Sequence, residues 1–123
     1  MPNSKDPLAQ VRNAPLFVVP RMLDALRAWR DGPKLTDLPG LTPSPERERL
    51  AAELDRLAGV LLAGVERHPT KFWVLKQFQQ SLEAVRDADT QAREHFGNEL
   101  ERIMDILGIE SSDGVVEYYL SRQ

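Results

Sequence analysis

KFWVLKQFQQSLEAV (residues 71–85) and AREHFGNELERIMDIL (residues 92–107), separated by a short acidic turn, decide how this chain is read. In the first stretch Phe72, Leu75, Phe78, Leu82 and Val85 recur at steps of three and four, the spacing that lines one face of a 3.6-residue helix. In the second, Ala92, Phe96, Leu100, Ile103 and Leu107 do the same, and Met104 and Ile106 widen the stripe to the breadth of a core-facing helix. The pattern predicts two helices packed antiparallel, their apolar faces turned the same way. The ends are punctuated. Pro69 stops any preceding helix, Thr70 offers a capping hydroxyl, and Asp87, Asp89 and Thr90 form the break between the arms. Gly108 stands just past the last periodic residue, where a left-handed cap is needed.

Upstream of this hairpin, Ser44-Pro45-Glu46 combines an N-cap hydroxyl, proline at the first helical position and an acid in the first turn. A helix is expected over residues 45–67, with Leu50, Leu54, Leu57, Leu61 and Val65 on one face and Val60 and Leu62 broadening it. Gly59 and Gly64 each cost about 1 kcal/mol relative to alanine inside a helix, which points to a neighbouring helix packing closely on both. RMLDALRAWRDG (residues 21–32) spaces Met22, Leu23, Leu26 and Trp29 as a shorter amphipathic helix, with Pro20 before it and Gly32 after it. Between them GPKLTDLPGLTPSP (residues 32–45) holds four prolines and two glycines, so no regular element forms there. Leu35, Leu38 and Leu41 are expected to pin this long loop to an apolar surface.

Further out, Leu8 and Val11 suit one helical turn before Pro15, and residues 16–19 are apolar enough to lie extended across the core. At the other end Ser112 or Asp113 is placed to cap a short last helix carrying Tyr118, Tyr119 and Leu120. The fold class is therefore all-α: an antiparallel helical bundle of four main helices, near residues 21–31, 45–67, 71–87 and 91–107, plus a short C-terminal helix near 113–121. One domain spans 1–123, with an irregular lead-in over 1–20 and the proline-rich loop at 32–44.

Composition bounds the function. The chain has 123 residues, 41% hydrophobic and 28% charged, ordinary for a globular protein. With no cysteine it has no disulfide and no thiolate chemistry. No run approaches the 18 or so apolar residues of a membrane span, and residues 16–19 are too short for a signal-peptide core, so a soluble cytoplasmic protein is expected. A net charge of −3 argues against nucleic acid as a partner. The charge is uneven: residues 1–34 carry six basic side chains against three acidic ones, and the remainder ten against sixteen. A basic helix face docked beside acidic neighbours of the same fold accounts for this.

Chemistry-bearing patterns are few. His95 and Glu99 lie four apart on one helix face with Glu94 adjacent, the spacing of two metal ligands, and His68 is the second imidazole. There is no HExxH and no glycine-rich phosphate loop. GIESSDG (residues 108–114) is not a nucleophile elbow, and Asp87 with Asp89, or Glu99 with Glu101, sit where turns and solvated faces carry charge. No catalytic residue, cofactor or metal ligand is assigned. Trp29 and Trp73 read as core or rim anchors.

DADTQAREHFGNELERIMDILGIESSDG (residues 87–114) resembles the signature stretch of a small bacterial family known only as a domain of unknown function, the likeness extending over residues 70–120. Asp89-Thr90, Ile106-Leu107-Gly108 and Ser111-Ser112-Asp113-Gly114 are its most distinctive parts. The resemblance implies an all-α fold and a bacterial source, and brings no activity with it. Three readings follow. The first is a non-catalytic module that binds another protein, in the manner of immunity or adaptor proteins, through the loop 32–45 or the charged outer face of the hairpin. The second is a small-molecule or metal site using His95 and Glu99. The third, compatible with the first, is self-association through apolar residues left over on the helix at 44–67.

Overall fold

The computed structural model describes residues 7–35 and 45–121. Five α-helices follow a 3-10 turn at Pro7–Gln10: α1 (Pro20–Asp31), α2 (Pro45–Gly64), α3 (Lys71–Ala84), α4 (Thr90–Leu107) and α5 (Val115–Ser121). Among the described residues the only β pairing is an isolated bridge between Pro15 and Thr70. One apolar cluster draws on every helix, from Leu8 to Tyr119.

The helices start and stop where the punctuation predicts, within a turn. The Thr70 hydroxyl accepts from the Trp73 amide, and the Asp89 carboxylate caps α4 by accepting from the Ala92 amide at 2.8 Å. Gly108 takes φ +75°, and the Ile109 amide then reaches back to the Met104 carbonyl at 2.8 Å, which closes the end of α4 with a left-handed turn. The Ser112 hydroxyl accepts from the Val116 amide at the start of α5. Pro20 is itself the first residue of α1, after an extended Val19. Helices α2 and α3 end about one turn earlier than expected, at Gly64 and Ala84. Ser44, the expected cap of α2, and Leu38 and Leu41 of the loop lie outside the described residues.

The stripes on α2 and α4 are buried as read: Leu50, Leu54, Leu57, Leu61 and Val65, then Ala92, Phe96, Leu100, Ile103 and Leu107. On α3 the phase differs. Val74, Leu75, Phe78, Ser81 and Leu82 face inward, whereas Phe72 is exposed. At 100° per residue Phe72 lies about 120° from the centre of that face, and its amide instead donates to the Asn13 side chain. The pairing of helices also departs from expectation. The close pairings are α2 with α3, α1 with α2, α3 with α5, α1 with α4, and α4 with α5; α3 and α4 do not form one of them. The short terminal helix approaches both arms of the hairpin, with Leu120 against Gly97 of α4 and the Tyr119 hydroxyl on Gln79 and Glu83 of α3. It is an integral layer of the bundle.

The two glycines of α2 separate in the same way. A methyl group on Gly64 would stand 2.6 Å from the Trp73 ring, so here a neighbour does pack closely. Nothing lies within 4 Å of the equivalent position on Gly59, which is exposed, so its expected close neighbour is not there. Gly59→Ala is predicted to raise stability by about 0.5–1 kcal/mol through helix propensity. Gly64→Ala must displace the indole and is predicted to lower it by about 1–2 kcal/mol. Urea unfolding of the two variants side by side checks the difference in sign.

The lead-in is stitched to the α2–α3 connection. The Leu16 amide donates to the Pro69 carbonyl and the Lys71 amide to the Ala14 carbonyl. In this extended run side chains alternate: Leu16 is buried, Phe17 is exposed and Val18 is half-buried. The expectation that residues 16–19 cover the core therefore holds for Leu16 and fails for Phe17. Asp113 ties the same region to the C-terminal part, its Oδ2 accepting from the Arg12 amide and from Lys71 Nζ, both at 2.7 Å. The Lys71 hydrogen bond, with that of the Arg12 amide, holds the Asp113 carboxyl below the usual carboxylate range.

That shift has a consequence for acid stability. The folded chain holds Asp113 ionised to lower pH than the unfolded chain does, so its contribution is complete above the ordinary carboxylate pKa of about 4 and is lost as pH falls through the depressed folded value. The stability difference between the parent chain and Asp113→Asn is thus predicted to be largest near neutrality and to shrink as pH falls below about 4. Urea midpoints measured across that range test it.

Candidate functional site

Two features stand out: a polar clamp inside the fold and an apolar trough on its surface. The clamp is centred on Glu99 of α4, a carboxylate that is only 3% exposed. Its Oε1 accepts from Trp29 Nε1 at 3.0 Å, and its Oε2 accepts from the Leu35 amide at 2.9 Å and from Arg102 at 3.0 Å. Burying a carboxylate is tolerable only when such donors replace water. Beside it Lys34, also nearly buried, pairs with Asp55 at 3.0 Å and donates to the carbonyls of Arg30 and Gly32 at the end of α1. Its ammonium stands 5.1 Å from the centre of the Trp29 ring. A cation at a helix C-terminus and over an indole is favoured twice. Leu35 follows, buried with a left-handed backbone at φ +60°. Together these contacts fix the root of the proline-rich segment to α1, α2 and α4.

The residues singled out by sequence fall as follows. Glu99 is committed to the three donors just named, and a ligand on His95 and Glu99 would compete with them. His95 is half-buried, and Glu94 is exposed. His68 is exposed and stacks on Trp73 with ring centres 5.4 Å apart. Among the described residues no three His, Cys, Asp or Glu side chains gather as a metal-ion cage. Ser111 and Ser112 serve the turn into α5, where Ser112 donates to Glu117 and Ser111 accepts from the Asp113 amide. Asp87 pairs with Arg49 at 3.1 Å, and Asp89 is a cap. Trp29 and Trp73 are both half-buried.

Sequence reading missed the surface feature. Phe17 is 82% exposed, the most open of the large apolar side chains among the described residues. It borders a trough of about 350 Å³ whose lining includes Met22, Ile106, Leu107 and Asp105. Asp105 also borders a second groove of about 250 Å³, floored by Met104 and Ile109 and ringed by Glu101, Glu110 and Glu117. No Lys or Arg is among the described residues that line either one. The apolar and acidic surfaces are therefore contiguous along the C-terminal half of α4. Residues 16–19 are all apolar, but an extended run between Pro15 and Pro20 turns successive side chains to opposite faces, so Leu16 and Phe17 could not both be buried on one core.

The match that decides kinship runs from residue 23 to residue 122, over a family model described as Domain of unknown function (DUF4844). The chain belongs to this family. The DUF4844 match extends well in front of residue 70, so the likeness is not confined to the C-terminal half: it takes in all of α2 to α5 and most of α1. Every residue of the Glu99 clamp falls inside it, and Phe17 and Met22 fall just before it. No curated protein and no solved structure matches the chain. No helix among the described residues is long and apolar enough to cross a membrane.

Proposed function

We propose that this DUF4844 chain is a non-catalytic, cytoplasmic protein-binding module, immunity- or adaptor-like in its mode of action, and that it works through the face around Phe17. One observation carries the reading. A phenylalanine side chain left 82% exposed beside an apolar trough gives up burial worth about 1.5–3 kcal/mol, a loss that a partner would recover. The inner polar groups support it from the other side, since the Glu99 carboxylate and the Lys34 ammonium are spent on holding the fold. A bacterial source, implied by the family resemblance, suits such a small adaptor.

The test is comparative capture from the native host. Tagged parent chain, Phe17→Asp and Phe72→Asp are used in parallel, the last disturbing an exposed phenylalanine outside the trough. The expected result is a protein held by the parent and by Phe72→Asp and lost with Phe17→Asp. Identical captures by all three would contradict the reading.

A further inference from the structure

We propose that the trough receives a basic, amphipathic segment of the partner protein, with its apolar side on Phe17, Met22 and Ile106 and its Lys or Arg side chains over Asp105, Glu101 and Glu110. This step rests on the protein-binding reading and adds the chemistry of the partner. The apolar wall supplies the area, and the exposed carboxylates of Glu101, Asp105 and Glu110 supply the sign. Complementary charge at the rim of an apolar contact steers association and selects among partners.

Charge also separates this occupant from the other candidates. A second copy of the chain would bring the same acidic rim to a two-fold contact, and the chain as a whole carries −3. Residues 36–44, TDLPGLTPS, hold one acid and no base, so they lack the complement that the rim asks for. An anionic lipid surface would be repelled by the same carboxylates.

The probes are two synthetic peptides with the same amphipathic leucine pattern, one with lysines on its polar side and one with glutamates, titrated into the full chain by fluorescence anisotropy. The lysine peptide is expected to bind and the glutamate peptide not to, with the affinity falling as salt is raised. Phe17→Ala, and separately the triple change Glu101→Gln, Asp105→Asn and Glu110→Gln, are each expected to weaken binding about tenfold. A control pair of exposed acids elsewhere, Glu48→Gln with Glu94→Gln, is expected to leave it unchanged. All of these positions but Glu110 lie on helices or the lead-in and none is in the core, so melting curves should match the parent.

Equal binding of both peptides would overturn the charge assignment while leaving a protein-binding face intact. Equal weakening by the control pair would overturn the location. Binding of neither peptide would overturn the proposal outright. Light scattering that shows a dimer dissolved by Phe17→Ala would give the trough to a second copy instead. Failure of the underlying reading has its own signature, the absence of any Phe17-dependent capture.

Discussion

Glu99→Ala lowers the unfolding free energy by about 3 kcal/mol, the largest loss expected from any polar substitution in this chain. The carboxylate is 3% exposed and accepts from Trp29 Nε1, the Leu35 amide and Arg102. Its removal leaves the indole and amide donors without their acceptor, each at a cost of about 1–3 kcal/mol. Arg102 is half-exposed, so water takes over its share and the lost ion pair adds little. Glu99→Gln keeps one acceptor oxygen and turns an NH2 group toward the remaining donors, so it should fall between the parent and the alanine variant. Urea unfolding followed by tryptophan fluorescence reads the series. A loss below about 1 kcal/mol for alanine, the scale of an ordinary surface change, would mean that Glu99 does not hold the fold.

Ending the chain at Gly114 abolishes cooperative unfolding. Without α5 the core loses Val115, Val116 and Tyr119, all buried, each worth about 1.5–3 kcal/mol of burial. Their sum reaches the scale of a small domain's whole stability, about 5–15 kcal/mol. The deletion also uncovers α3 and α4, both of which α5 packs against. Circular dichroism should show reduced helix and a broad, non-cooperative melt. A sharp transition with near-parental helix content would show that the first four helices close the core without α5.

What could be read from the sequence was whatever burial imposes on a single helix. The leucine ladder of α2 and the apolar stripe of α4 follow from a face turned permanently away from water, and Thr70, Asp89 and Gly108 mark ends because unpaired amides and carbonyls require caps. The stripe of α3 was misphased by Phe72, since a step of three to Leu75 also fits the margin of a face. Gly59 and Gly64 carry the same intrinsic cost, and only the position of Trp73 tells them apart. Most of the candidate site lies in tertiary structure. Glu99 looked like half of a metal pair because its donors, Trp29 and Leu35, are distant in sequence. The trough joins the lead-in and α1 to the end of α4, a juxtaposition with no local signature.

Photo-crosslinking in the living host tests the central claim most directly. A benzophenone amino acid at position 17 and, in a second chain, at the exposed position 52 on α2 compares the trough with a neutral face under identical conditions. A discrete heterologous adduct from position 17, absent from position 52 and diminished by the triple change at Glu101, Asp105 and Glu110, is the predicted result. Equal labelling from both positions, or none from position 17, would contradict it.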